Sequence, residues 1–216
     1  MRPSTTHEAL VTSQFGPQAA AYVASAVHAQ GADLTQMAEA LALRRPATVL
    51  DLGCGGGHVS FAAALPFADA SFEAVATRFS THHWGDAAKG LAEAGRVLKP
   101  GGIALFADVF APADPLLDTF LQSFELLRDP SHVRNYSIAQ WRGMVEAAGL
   151  TVASVTQGRL PLDFAAWIKR INTPPHFAAA IRALQQAMAE RVRAHFAIDE
   201  DGNFSLDAMV MVAHKA

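Results

Sequence analysis

An acidic residue followed by alternating glycines stands out in the segment Val49–Gly57. Its sequence is Val-Leu-Asp-Leu-Gly-Cys-Gly-Gly-Gly, so Asp51 ends an apolar run and Gly53, Gly55 and Gly57 follow it. Glycine has no Cβ, so the backbone can lie close to a bound group where a strand turns into a helix. Asp51 could accept hydrogen bonds from a cationic or hydroxylated ligand. A tight turn alone seldom needs three glycines after a strand acid.

Other glycine-rich and catalytic motifs do not fit this sequence. A dinucleotide fingerprint needs Gly or Ala three residues after its second glycine, but the two possible frames place His58 and Ser60 there. The Gly-Lys-Ser/Thr of a Walker loop is absent, as are Gly-x-Ser-x-Gly and His-Glu-x-x-His. NAD, FAD and the usual hydrolase and zinc-protease mechanisms therefore have no support.

Two adjacent histidines, His82 and His83, are the second candidate for chemistry. An imidazole titrates near neutral pH, so either side chain could act as a general base on a hydroxyl, a carbon acid or an amine. A metal site is disfavoured, because adjacent side chains usually diverge and no carboxylate or cysteine at ligand spacing accompanies them. We predict no metal ion. The alternative role is a loop histidine whose hydrogen bonds are satisfied locally.

Alternating strand and helix patterns surround these residues and predict an α/β fold with a parallel sheet and helices on both faces. Strands are predicted at 48–52, 72–79, 102–109, 150–155 and 205–213. Helices are predicted in the first 45 residues and at 58–64, 87–98, 116–127 and 138–148. An apolar stripe over 177–196 faces away from Arg182, Gln185, Glu190 and Arg193, which favours an amphipathic helical segment.

Composition narrows the functional classes. The chain has 216 residues, 51% of them hydrophobic and 17% charged, which predicts one folded domain. A net charge of −3 gives no basic excess for nucleic acid. The N-terminus lacks the apolar core of a signal peptide, and no apolar stretch reaches membrane-spanning length. With a single cysteine, Cys54, we expect a cytoplasmic protein without a nucleic-acid or membrane partner.

The sequence resembles the class I S-adenosylmethionine-dependent methyltransferases. Their first motif, acid-x-Gly-x-Gly-x-Gly, matches Asp51–Gly57. Leu65–Val75 is similar to the segment leading into their fourth strand, and Glu93–Gly102 to the helix and turn before the fifth. The small-molecule branch (methyltransferase type 11), which includes ubiquinone/menaquinone-biosynthesis and YcgJ-like methyltransferases, is similar in three further segments: Thr12–Gly16, Arg78–Trp84 and Arg128–Arg134.

This resemblance implies a Rossmann-like sheet of order 3-2-1-4-5-7-6 with an antiparallel last strand. It implies S-adenosylmethionine as cofactor, its amino-acid end held by Asp51 and the glycines, and a small-molecule substrate. Phe15 and Tyr22 would close over the cofactor, although contacts within the core explain these aromatics equally well. Arg78 is also expected in the cofactor site. His82 and His83 would lie beside the reacting group.

A substrate lid is implied for the segment that contains Arg128, Arg134 and Tyr136. Arg134 could hold a carboxylate, and ion pairing within the fold is the alternative. We expect a single methyltransferase-like domain, with N-terminal helices at 1–45, a core at 46–158, a helical insert or lid at 159–200 and the last strand at 201–216.

One interval departs from the family pattern. Only His58–Ala64 separates Gly57 from Leu65, whereas the family places strands two and three there and one βαβ unit takes about 30 residues. We therefore expect strands two and three to be missing, leaving the order 1-4-5-7-6. Strand one would become an exposed edge through which two chains could pair.

Two functional hypotheses follow. The first is methyl transfer from S-adenosylmethionine to an unidentified small molecule. The second is a non-catalytic or internally deleted methyltransferase-like domain with weak or no cofactor binding.

Overall fold

The structure, a computed structural model, describes residues 6–18, 31–53 and 65–216. The α-helices of this part are α1 (His7–Phe15), α2 (Ala32–Arg44), α3 (Ala87–Val97), α4 (Pro115–Arg128), α5 (Ile138–Ala147), α6 (Phe164–Arg170), α7 (Pro175–Ala187) and α8 (Glu190–His195). The strands are β1 (Val49–Asp51), β2 (Phe72–Arg78), β3 (Leu98–Val109), β4 (Leu150–Leu162) and β5 (Phe204–Lys215). Short 3₁₀ turns occur at Gly16–Gln18 and Thr81–His83.

The described strands form one mixed sheet of five strands in the order β1-β2-β3-β5-β4. β1 and β3 run parallel to β2, and β5 runs antiparallel to both β3 and β4. The predicted α/β fold with an antiparallel last strand is confirmed. Asp51 lies opposite Ala76, and Arg78 opposite Ala107. The carboxyl ends of β1, β2 and β3 therefore meet at one edge of the sheet.

Helices cover both faces of the sheet, as the alternating pattern predicted. Successive residues of β3 point to opposite faces, so Phe106 packs with Trp141 of α5 on one side and Leu105 packs near Met37 of α2 on the other. A third apolar cluster, which includes Phe124, brings α4, α6 and α8 together beside the ends of the strands. This cluster supports the segments that carry the candidate site.

Two strands are longer than predicted. β3 begins at Leu98 rather than at residue 102, because Leu98 already lies opposite Phe72 of β2; the register then shifts, and Ile103 lies opposite Ala74. β4 continues to Leu162 instead of ending near residue 155, because it pairs with β5 along its whole length. Long-range pairing with β5 therefore extends β4 beyond its alternating sequence.

The predicted stripe over 177–196 is divided between α7 and α8. The chain is extended at Met188, so α7 ends before α8 begins at Glu190. The placement of Gln185 on the polar face was wrong, because this side chain is only 2% exposed. Its amide donates to the Gly202 carbonyl at 3.1 Å and its oxygen accepts from Arg182 at 2.7 Å. These hydrogen bonds allow a polar group to be buried.

β1 forms an edge of the sheet as far as the described residues show. It pairs with β2 alone among them, and Val49 is 47% exposed. The helix predicted at 58–64, together with Tyr22, Cys54, Gly55 and Gly57, lies outside the described residues. Among the helices of the described part, none is long and apolar enough to cross a membrane.

Candidate active site

A short 3₁₀ turn after β2 positions the two histidines. The His83 amide donates to the Ser80 carbonyl at 3.0 Å, and the Trp84 amide to the Thr81 carbonyl at 3.0 Å. The indole of Trp84 is buried and donates to the Ser80 hydroxyl at 3.0 Å. Gly90 leaves room for this ring, because a Cβ there would lie 2.4 Å from it. A packed tryptophan therefore anchors the turn.

His82 forms a close pair with Asp108 near the end of β3. Its Nδ1 lies 2.5 Å from Asp108 Oδ1, and the carboxylate also accepts from the Val109 amide at 2.9 Å. Because an ionised carboxylate only accepts hydrogen bonds, Nδ1 carries the proton and Nε2 is left to take another. Burial lowers the pKa of His82, but the negative charge and hydrogen bond of Asp108 outweigh it, so the pKa is raised.

His83 has a different environment. Its Nδ1 donates to the Ser131 carbonyl at 3.2 Å, and its ring meets the edge of Phe15 with centroids 4.8 Å apart. The His83 carbonyl accepts from His7 Nε2 at 2.8 Å. Burial, followed by the charge of His82, holds the pKa of His83 well below its usual range. The side chain is neutral near pH 7.

The loop after α4 closes over the histidine turn. The amides of Val133 and Arg134 donate to the His82 carbonyl at 2.8 and 3.1 Å. His132 is buried, which lowers its pKa to about 3, and its Nε2 lies 3.0 Å from Gln122 Oε1. The Arg134 guanidinium pairs with Asp118 at 2.6 Å. For Arg134 the structure therefore shows ion pairing within the fold, the alternative to the suggested carboxylate site.

A cavity of about 70 Å³ lies beside the histidines. Ionisable side chains in its wall are His82, His83, Glu125, Arg128 and Arg170, and aromatic and aliphatic side chains form the rest, namely Phe15, Phe79, Val109, Leu160, Leu162, Trp167 and Leu206. Burial raises the pKa of Glu125. The volume is enough for several water molecules or a small organic group.

The sequence of this chain is similar to those of known proteins. A family model described as a methyltransferase domain matches residues 59–106. The uncharacterized methyltransferase YcgJ of Bacillus subtilis is 32% identical over 200 residues, which cover 74% of this chain and 79% of YcgJ. The chain belongs to the class I small-molecule methyltransferases.

Two further similarities cover nearly the same share of this chain. The uncharacterized protein YafE of Escherichia coli is 44% identical over 156 residues, covering 72% of this chain and 75% of YafE. The crystal structure of the Bacillus YcgJ protein superimposes with a TM-score of 0.68 at 35% identity, covering 71% of this chain and 68% of that one. S-adenosylmethionine is the methyl donor of this family, so family membership confirms the predicted cofactor.

The end of β1 in this methyltransferase offers two groups that fit the amino-acid end of the cofactor. Asp51 is exposed, and its carboxylate makes no hydrogen bond or ion pair within the described part of the chain. Partial loss of hydration around the carboxyl group raises the pKa of Asp51. Gly53 has a φ of 102°, a backbone conformation that a side chain would strain.

The predicted site residues fall into three places. His82, His83 and Phe15 lie together around the cavity. Asp51 and Gly53 lie at the end of the neighbouring strand, β1. Arg78 forms an ion pair with Asp33 of α2 and lies 4.6 Å from the Phe79 ring centroid, so its role toward the cofactor stays a prediction.

Sequence reasoning missed two polar residues near the cavity, Asp108 and Glu125, and named Arg128 only as part of the implied substrate lid. Asp108 stands in an apolar strand, and a buried acid in that position was the available signal. Glu125 and Arg128 are three residues apart on α4, a spacing typical of an ordinary surface pair. Only the packing of α4 against the strand ends buries both side chains.

Proposed function

We propose that this methyltransferase transfers the methyl group of S-adenosylmethionine to a small-molecule acceptor, with His82 as general base. The observation that carries the proposal is the hydrogen bond between buried Asp108 and His82, whose side chain lines the cavity. A base of this kind suits an acceptor whose hydroxyl, amine or carbon acid must lose a proton.

Bound S-adenosylmethionine supplies an electrophilic methyl carbon on a sulfonium leaving group. At His82, Nε2 receives the proton of the acceptor while Asp108 stabilises the imidazolium that forms. His83 remains neutral and adds no second positive charge beside it. Because the His82 side chain is 17% exposed, the proton can then leave to solvent. Asp51 and Gly53 hold the amino-acid end of the donor.

We also propose that β1, β2, β3, β4 and β5 correspond to strands one, four, five, six and seven of the family's sheet. The order β1-β2-β3-β5-β4 with an antiparallel β5 supports this correspondence. The YcgJ alignment is also consistent with it, since 200 aligned positions contain only 74% of this chain, about 160 residues. A deletion of this kind would remove the strands that approach the ribose and adenine of the cofactor.

The insert of residues 159–200 has a proposed role as a substrate lid. Its first helix, α6, contributes Trp167 to the cavity wall, and Arg170 ends the same helix. α1 contributes Phe15 from the other end of the chain. Segments far apart in sequence therefore close the same cavity, as expected of a lid over an acceptor.

The first experiment is calorimetric titration with S-adenosylhomocysteine and S-adenosylmethionine. We expect micromolar binding by the natural chain and at least about tenfold weaker binding by Asp51→Asn, because a carboxylate hydrogen bond to the donor is lost. His82→Gln should bind S-adenosylhomocysteine normally but lose methyl transfer to an acceptor identified from a compound library. His195→Gln, which changes a surface histidine paired with Asp207, is the matched control and should keep both properties.

The outcomes separate the two functional hypotheses. Absence of binding at millimolar ligand would refute cofactor-dependent activity for this chain and favour the non-catalytic or internally deleted domain. Cofactor binding with unchanged methyl transfer in His82→Gln would refute the base assignment alone.

A further inference from the structure

We infer that the methyl acceptor is a small apolar carboxylic acid whose carboxylate binds Arg128. This inference rests on the proposed methyltransferase function and specifies the substrate class of the same cavity. Its basis is a buried guanidinium in the cavity wall that the described fold leaves incompletely hydrogen-bonded.

The Arg128 side chain is held in a defined orientation. The residue is 7% exposed, its Nε donates to the Trp167 carbonyl at 3.2 Å, and its guanidinium carbon lies 4.6 Å from the Trp167 ring centroid. Its Nη2 is buried and makes no hydrogen bond to any described residue. Buried donors are nearly always paired, so this one requires an acceptor from outside the described fold.

The neighbouring acids do not supply that acceptor. Asp108 is engaged by His82, and Asp129 Oδ1 accepts from the Ser131 amide and hydroxyl at 2.8 and 2.6 Å. The second oxygens of both acids are themselves buried without a hydrogen-bond partner among the described residues. A ligand carboxylate beside Arg128 would supply the missing hydrogen-bond acceptor of the guanidinium and would leave the hydrogen bonds of Asp108 and Asp129 intact.

Glu125 lies beside Arg128 on α4 but forms no ion pair with it within the described set. Burial raises the pKa of the Glu125 carboxyl. Arg170 adds a second guanidinium to the wall, and His82 adds an imidazole. Basic side chains therefore outnumber the single carboxyl group in the wall, and the planar guanidinium fork of Arg128 matches a carboxylate in shape and charge.

The rest of the wall is apolar. Phe15, Phe79 and Trp167 contribute aromatic surface, and three leucines, Leu160, Leu162 and Leu206, contribute aliphatic surface. Such a wall favours a hydrocarbon or aromatic body over a sugar or a polyamine, because uncompensated polar groups lose hydration there. Together with Arg128 it selects an apolar acid.

Benzoate and benzamide are the probes, since they have nearly the same shape and differ in charge. Both are titrated calorimetrically into the full chain, with and without saturating S-adenosylhomocysteine. We expect benzoate to bind at least about tenfold tighter than benzamide, because a charge-assisted hydrogen bond is stronger than a neutral one. Arg128→Met should abolish this preference. Arg134→Met is the matched control, as its guanidinium pairs with Asp118 away from the cavity, and it should retain the preference.

The inference is overturned when benzoate fails to bind at millimolar concentration, when benzamide binds equally well, or when Arg128→Met keeps the preference. Circular-dichroism melting checks that Arg128→Met folds. If it does not fold, Arg128→Lys replaces it in the test. Lysine keeps the positive charge without the planar guanidinium, so this variant should lose most of the preference for benzoate over benzamide. Full preference in Arg128→Lys also overturns the inference. If the chain binds S-adenosylhomocysteine but shows no benzoate preference, only the proposed acceptor class is refuted. If the chain does not bind S-adenosylhomocysteine, the proposed function is refuted. In that case the benzoate titrations without S-adenosylhomocysteine still test the role of Arg128.

Discussion

Asp108→Asn is the substitution that tests the His82–Asp108 pair most directly. It removes the negative charge from a residue that is 1% exposed and keeps its shape. The wild-type hydrogen bond joins His82 Nδ1 and Asp108 Oδ1 at 2.5 Å. Hydrogen bonds to charged groups contribute about 1.5–3 kcal/mol, so we expect the free energy of unfolding to fall by about 2 kcal/mol where His82 is protonated. For a chain of this length that lowers Tm by roughly 4–8 °C.

The expected loss depends on pH in a defined direction. The pKa of His82 is raised in the folded protein, so the folded state binds the histidine proton more tightly than the unfolded state does. The stabilisation is therefore complete below about pH 6.5, the ordinary histidine pKa, and is lost as pH rises through the higher folded pKa. Wild type and Asp108→Asn should differ most in acid and become more alike in alkali.

Urea unfolding at about pH 5.5 and about pH 8.5 measures this difference, and NMR titration of His82 follows its pKa directly. Asp118→Asn is the matched control, because it removes the carboxylate that pairs with the Arg134 guanidinium, an ion pair without a histidine. Its cost should be the same at both pH values. A cost of Asp108→Asn that is equal at both pH values, or larger in alkali, would refute the pair as described, as would an unchanged His82 pKa.

Three further substitutions test the fold. Phe106→Ala should lower the free energy of unfolding in urea by about 3–5 kcal/mol, because the side chain is fully buried, and a loss as small as that of exposed Leu43→Ala, under about 0.5 kcal/mol, would contradict the packing. Lys215→Met should cost about 1–2 kcal/mol by the same measurement, since Nζ lies within hydrogen-bonding distance of the carbonyls of Gly95, Arg96 and Leu98; an unchanged stability would argue against these contacts. Val49→Lys should weaken self-association in analytical ultracentrifugation, because it places a charge on the exposed β1 edge, and a natural chain that is already monomeric would exclude pairing there.

The sequence predicted the order of helices and strands because each element carries its own local signal. The apolar run before Asp51 and the Pro-Gly turn before β3 are readable without knowledge of their neighbours. The lengths of the strands were harder to predict from the sequence. β4 extends to Leu162 through pairing with β5, a contact between segments about fifty residues apart that no local pattern contains.

The candidate site was predictable only in part for the same reason. His82 and His83 were identified by residue type, but the choice between them depends on Asp108 and Ser131, which approach from β3 and from the loop after α4. Arg128 was expected only as part of a substrate lid, and its burial against Trp167 became visible only in the folded structure. The pKa of an ionisable side chain depends on the charges and hydrogen bonds around it, and tertiary structure determines which groups those are.

The proposed roles divide the site into a donor side and an acceptor side that depend on different segments. The proposed donor side begins at Asp51 and Gly53, the last described residues before Leu65. The acceptor side, around His82 and Arg128, draws its described contacts from β3, α4, α6 and neighbouring loops. A deletion between β1 and β2 should therefore weaken donor binding selectively.

Insertion of the strand-helix-strand segment of a close relative after Gly57 tests this division. We expect S-adenosylhomocysteine affinity to rise by at least about tenfold, because a hydrogen-bonding acid for the ribose would be restored. The benzoate preference should stay unchanged, because the contacts of Arg128 with Trp167 do not involve the inserted strands. An insertion that alters both affinities together would refute the separation of the two sides, and one that alters neither would show that the short interval does not limit cofactor binding.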